Sequence, residues 1–162
     1  MNEPDKEDDY PNPLVSIWDE QPYTDDEEFT EWFHGLTKVQ QVLFPTWWLD
    51  LEVCNGGFHQ YFGNSTGHHA PEAIFGFNEL GLNDIAEIAQ QAVAIFGEPF
   101  PRKRNDREEF LAAFNGDDES EWNPFYKLDD AFFQALKIPG APEFHDGDRI
   151  TLAIEAYLKQ NA

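Results

Sequence analysis

The sequence predicts an all-α fold, a single compact bundle of about seven or eight helices around an aromatic-rich core. Three observations carry that reading. Apolar residues recur at spacings of three and four along most of the chain, as the buried stripe of a helix requires. No stretch alternates apolar and polar residues for long enough to mark a strand. Fifteen Phe, five Tyr and five Trp among 162 residues supply the large apolar groups that a bundle buries.

Residues 1–24 read as an acidic arm. Pro4, Pro11, Pro13 and Pro22 favour an extended path, with Leu14, Val15, Ile17 and Trp18 placed to lie against the body. Residues 25–162 read as one helical domain, since neither a repeat nor a linker divides them. Thr24 is the expected N-cap of the first helix. Asp25, Asp26, Glu27 and Glu28 fill its first turn, where the helix dipole favours negative charge. Phe29, Trp32 and Phe33 form its apolar stripe, and Gly35 closes it.

From Thr37 to Asn55 the residues Val39, Val42, Leu43, Trp47, Leu49, Leu51 and Val53 keep helical spacing. Pro45 is expected to kink or restart that helix, and Gly56-Gly57 to end it. Pro71 sits at the favoured first position of the next helix, which buries Ala73, Ile74, Phe77 and Leu80 and stops at Gly81. Asn83 or Asp84 is the expected cap of a helix marked by Ile85, Ile88, Ala89, Ala92, Val93 and Phe96. After the loop Gly97–Pro101, a helix over residues 106–114 and an acidic turn at 115–119 are expected. Trp122 to Leu136 reads as helical with a restart near Pro124, and Asp148 as the cap of a last helix carrying Ile150, Leu152, Ile154, Tyr157 and Leu158.

Charge bounds the function more sharply than any motif. Thirty-two acids against ten bases give a formal −22. Such a surface repels nucleic acid and anionic membranes, both polyanions, and attracts basic proteins. One cysteine rules out an internal disulfide. The N-terminus lacks the basic and apolar regions of a signal peptide, and no apolar run is long enough to span a bilayer, so a cytoplasmic location is expected.

The segment from Val53 to His69 concentrates glycines, aromatics, the lone Cys54 and three histidines. Structural zinc needs paired ligands at tight spacing, and Cys54, His59, His68 and His69 form no such pairs. Cys54 is expected on the inner face or last turn of its helix, as a small apolar group rather than a nucleophile. No Lys or Arg lies between Lys38 and Arg102, which removes a phosphate-binding loop. His68 and His69 read as a loop or capping pair, and no metal or cofactor is expected. The segment is therefore expected to be a helix junction. In it Gly56 and Gly57 permit close approach, Phe58, Tyr61 and Phe62 fill the core, and Asn55, Gln60 and Asn64 bond open backbone groups.

The pattern Glu52-Val53-x-Asn55-Gly56-Gly57-Phe58-x-Gln60-x-Phe62-x-Asn64, with the helix after it, resembles a bacterial DNA-mimic protein family. Its type member is a small, very acidic, dimeric helical protein. The resemblance covers about Leu49 to Phe96. It implies a non-enzymatic homodimer whose carboxylates stand in for DNA phosphates and occupy a DNA-binding regulator, such as one of the helix-turn-helix type. Carboxylates on successive helical turns stand about 5–6 Å apart. The candidate partner-binding groups are Asp25, Asp26, Glu27, Glu28 and Glu31; Asp117, Asp118, Glu119 and Glu121; and Asp129 with Asp130, which the arm's Glu7, Asp8 and Asp9 extend. Arg102, Lys103, Arg104 and Arg107 gather bases in one place, for pairing with Glu108, Glu109 or a neighbouring helix, or for contact with a second subunit. Two competing readings are an acidic protein-binding module without mimicry, and a small-ligand or hydrolytic pocket lined by His59 and Tyr61.

Overall fold

The computed structural model describes residues 12–17, 19–22, 26–142 and 147–162. Trp18, Thr24, Asp25 and the arm acids Glu7, Asp8 and Asp9 lie outside the described residues, as does the side chain of Asp26. The described residues form nine α-helical segments, one 3₁₀ segment at Ser65–His69 and no strand. The helices are α1 (Asn12–Val15), α2 (Asp26–Gly35), α3 (Lys38–Gly63), α4 (Ala70–Glu79), α5 (Asn83–Ala94), α6 (Arg104–Ala112), α7 (Glu119–Trp122), α8 (Tyr126–Leu136) and α9 (Arg149–Gln160). The all-α expectation holds.

Helix α3 is the spine, and α1, α4, α6, α8 and α9 all pack on it. Its start is fixed by a capping box: Thr37 Oγ1 accepts from the Gln40 N–H at 3.2 Å, while Gln40 Oε1 accepts from the Thr37 N–H at 3.0 Å. Pro45 neither breaks nor restarts it; every backbone angle around Pro45 stays helical. The neighbouring buried Thr46 hydroxyl donates to the carbonyls of Val42 and Leu43, at 2.9 and 3.0 Å, and so is itself satisfied within the helix. Helix α4 lies close along α3 at Gly76, where a Cβ would stand 2.6 Å from the Val42 carbonyl oxygen.

Two aromatic groups fill the interior. Phe58, Phe62, Phe125 and Phe132 are fully buried where α3 meets α8, and Phe96 and Phe110 pack onto them. At the other end Phe29 stacks on Phe33, and Trp32 meets the buried Phe44 edge-on at 5.0 Å. Leu14 and Ile17 are buried in the same core, so the described part of the arm lies on the body. It does so through the helical turn α1 rather than as an extended strand; Gln40 on α3 donates to the Pro13 carbonyl at 3.0 Å.

Two boundaries differ from the sequence expectation. Leu82, not Asn83 or Asp84, occupies the cap position before α5, with no side-chain bond there. Helix α6 begins at Arg104 because Arg107 anchors its first turn from below. The expected restart near Pro124 is present: α7 ends at Trp122 and α8 begins at Tyr126, parted at Asn123, whose side-chain oxygen accepts from the Phe125 N–H at 2.9 Å.

Candidate functional site

Gly56 and Gly57 interrupt α3 instead of ending it. Gly57 takes φ 76° and ψ 176°, a conformation closed to residues with a Cβ, and the helix resumes at Phe58. A resumed helix opens with unpaired N–H groups. Asp129, reaching in from α8, accepts from the Phe58 N–H at 2.7 Å and from Asn123 Nδ2 at 3.1 Å. A Cβ on Gly57 would lie 2.8 Å from Asp129 Oδ2, so glycine is required for space as well as for angle. Asp129 is therefore a cap supplied by another helix. It is 8% exposed and is removed from the outward-facing carboxylates expected of it, because adjacent helical residues point about 100° apart and Asp130 takes the outer side. Burial raises its carboxyl above the usual range, opposed by those two hydrogen bonds.

A second carboxylate clamps the break from its other side. Glu52 accepts from Asn64 Nδ2 at 2.7 Å, Gln60 Nε2 at 3.3 Å and the Thr66 hydroxyl at 3.2 Å, tying the turn before the interruption to the end of the resumed helix. Arg107 seals that end. Its fully buried guanidinium donates to the carbonyls of Phe62 at 2.8 Å, Asn64 at 2.9 Å and Pro101 at 3.2 Å, and also to that of Arg102. A cation at a helix C-terminus satisfies the open carbonyls and suits the dipole. Asn55 stays on the surface.

The histidines and Cys54 are dispersed. His69 takes the N-cap position of α4, as a capping residue is expected to, but makes no side-chain cap bond; its ring is fully buried between Phe29, Phe44 and Tyr61, and Tyr61 Oη stands 3.5 Å from its Nδ1. Desolvation holds His69 well below the ordinary imidazole value of 6.5 and also lowers His68. His59 sits edge-on to Trp122 at 5.3 Å, lining a different surface groove from the buried Tyr61, so the two do not share a pocket. Cys54 is exposed, not on the inner face, and its thiol donates to Asp50 Oδ1 at 3.4 Å. Burial, then the charge of Asp148, lifts the Asp50 carboxyl to about 7, and burial with the Asp50 charge raises the Cys54 thiol. Among the described residues no three His, Cys, Asp or Glu side chains are grouped to hold a metal ion. No described helix is long and apolar enough to cross a membrane.

The candidate acids present two exposed sets. On α2, Glu27, Glu28 and Glu31 face solvent. Between α6 and α8, Asp117, Asp118, Glu119 and Glu121 are exposed on a rigid turn. There Glu121 accepts the N–H groups of Asp117 and Asp118 at 3.0 and 3.2 Å, and α7 begins with a capping box. Asp130 and Glu119 border one groove, which joins two groups that the sequence kept apart. The basic cluster pairs internally, the first of its two expected uses: Arg102 pairs with Glu72 of α4 at 2.7 Å, Arg104 with Glu108 at 3.0 Å, and Arg107 is inside.

A family model described as DMP19-like protein matches residues 34–161. The chain belongs to the DMP19-like family. The matched region runs from the end of α2 through α9 and contains the Gly56–Gly57 junction, Asp117–Glu121 and Asp130. The α2 acids precede it. No curated protein and no solved structure matches this DMP19-like chain. Glu52 and Arg107 are the residues whose weight the sequence reading missed. Glu52 was visible only as the first residue of the motif, and Arg107 was indistinguishable from its exposed basic neighbours.

Proposed function

We propose that this DMP19-like chain is a non-enzymatic DNA mimic, a homodimer in the cytoplasm whose carboxylates occupy a DNA-binding regulator and keep it from its operator. The observation that carries the reading is the placement of charge. The chain carries a formal −22, and among the described residues Glu27, Glu28 and Glu31 are exposed on one helix while Asp117, Asp118, Glu119 and Glu121 are exposed on another surface, at the capped start of α7. Duplex DNA carries one charge per about 1.7 Å of axis, and helical carboxylates about 5–6 Å apart offer a spaced anionic row, which more than one exposed set is needed to match in density. The ion pairs Lys38–Glu79, Arg102–Glu72, Arg104–Glu108 and Arg149–Asp84 keep four of the bases on the body of the molecule. A partner of the helix-turn-helix type presents its basic side chains in a fixed array and would meet such a row directly.

The test is capture from the native cytoplasm at low salt, followed by challenge with duplex. Release of a DNA-binding protein in steps of rising salt, and its displacement by its own operator, supports mimicry. A captured basic protein that duplex leaves in place supports a plain acidic binding module instead. Within the complex, replacing Asp117, Asp118 and Glu119 together by their amides should weaken binding by roughly tenfold or more, since each exposed charge pair contributes about 0.2–1 kcal/mol and charge networks more. Unchanged affinity removes that face from the contact.

A further inference from the structure

We infer that the groove between the Gly56–Gly57 interruption and helices α7 and α8 receives an arginine side chain of a basic partner. The inference rests on the reading of the chain as a binder of basic proteins, and it places one contact of that binding. The groove has a volume of about 330 Å³, at the small end of ligand sites and suited to one long side chain. Its walls are the rings of Trp122, Tyr126 and Phe133. Trp122 and Phe133 are 38% and 39% exposed, large values for such side chains in a chain whose other aromatics are mostly buried. Gly56, Gly57 and Asp129 also line it. Glu119 and Asp130 stand at the rim, and no Lys or Arg lines it.

Aromatic faces beside carboxylates recognise a cation that is flat, weakly hydrated and able to donate two parallel hydrogen bonds, which describes guanidinium better than ammonium. The surface already pairs cations with rings in this way: Lys38 Nζ stands 4.1 Å from the centroid of Phe75, and Lys127 Nζ 5.7 Å from that of Tyr126, at the groove's own edge. Asp129 is engaged by Phe58 and Asn123, so Glu119 and Asp130 are the acids available to an incoming group, Glu119 after releasing a 3.4 Å contact from Asn123. The exposed rings on either side favour a side chain delivered by a protein over a free polyamine. A peptide covers them on docking, and arginine in an aromatic surround is a common anchor of protein interfaces.

The experiment is an amide-resonance titration of the full chain with the capped tripeptide Gly-Arg-Gly, its citrulline counterpart and spermidine. Saturable shifts at Gly56, Gly57 and the Trp122 indole are expected with the arginine peptide and not with citrulline, which keeps the shape and lacks the charge. Glu119→Gln with Asp130→Asn should weaken that binding about tenfold, while Glu27→Gln with Glu28→Gln should leave it unchanged. Equal binding of the citrulline peptide, shifts spread alike over every acidic group, or spermidine seating where the arginine peptide does not, overturns the inference. The titration contains no DNA-binding protein. Arginine seating here, combined with failure of duplex to compete for a captured partner, would remove mimicry and leave the groove standing.

Discussion

Asp129 and Asp50 show what a single carboxylate does once the chain is folded around it. Asp129 caps the resumed half of α3, and Asp129→Asn puts an amide where an anion accepts the Phe58 N–H. A loss of about 1–2 kcal/mol in denaturant unfolding is expected, with Gly57→Ala costing at least as much through its positive φ and its 2.8 Å approach to the same carboxylate. Asp50 acts in the opposite sense. Its carboxyl is raised from 3.8 to about 7, so the folded chain holds a proton that the unfolded chain releases, and stability declines as pH rises from about 4 to 7. Asp50→Asn should therefore stabilise the protein at pH 8, by on the order of 2 kcal/mol, and leave it nearly unchanged at pH 4. The same replacement should speed alkylation of Cys54 at pH 8, because the Asp50 charge and hydrogen bond both raise that exposed thiol. Equal alkylation rates in the two proteins would contradict the coupling. Neither carboxylate's role was readable beforehand. In Asp129-Asp130 the sequence offers two equal acids, and only the docking of α8 on α3 decides which one turns inward.

At the scale of elements, helix identities were legible and junctions were not. The apolar spacing of α2, α4, α5 and α9 and the cap at Asp148, which accepts from the Thr151 N–H at 2.9 Å, follow directly from local pattern. Pro45 stays inside a continuous α3 with helical backbone angles, which the local pattern does not reveal. The glycine pair reads locally as a helix end, because its effect depends on Asp129, 72 residues away from Gly57 and invisible in a local window. Helix α2 supplies another test. It is held on the core by Phe29 against His68 and His69, with ring centroids 4.2 and 5.6 Å apart. His69 is neutral in the fold well below 6.5, whereas the unfolded chain takes up a proton there, so stability falls as pH drops through and below 6.5. His69→Phe should reduce the loss of stability between pH 7.5 and 5, measured by urea midpoints; an unaltered loss would place the acid sensitivity elsewhere.

For the whole molecule, composition carried more than any motif. A share of 15% aromatics foretold a well-filled interior, and the formal −22 sets a charge that repels polyanions before any helix is placed. The layout of that charge belongs to the fold. Internal pairing of Arg102, Arg104 and Arg107 is an expectation of the sequence, but the fold alone assigns the partners, the carbonyls and acids of α3, α4 and α6. Glu119 and Asp130, eleven positions apart, come to share a groove.

The central claim is that this surface takes the place of duplex, and equilibrium competition tests it most directly. A captured regulator is held at fixed concentration on labelled operator DNA while the protein is titrated in at several salt concentrations. Stoichiometric displacement of the operator, weakening steeply as salt rises, is the predicted result. A ternary complex in which regulator, operator and protein remain together would contradict it.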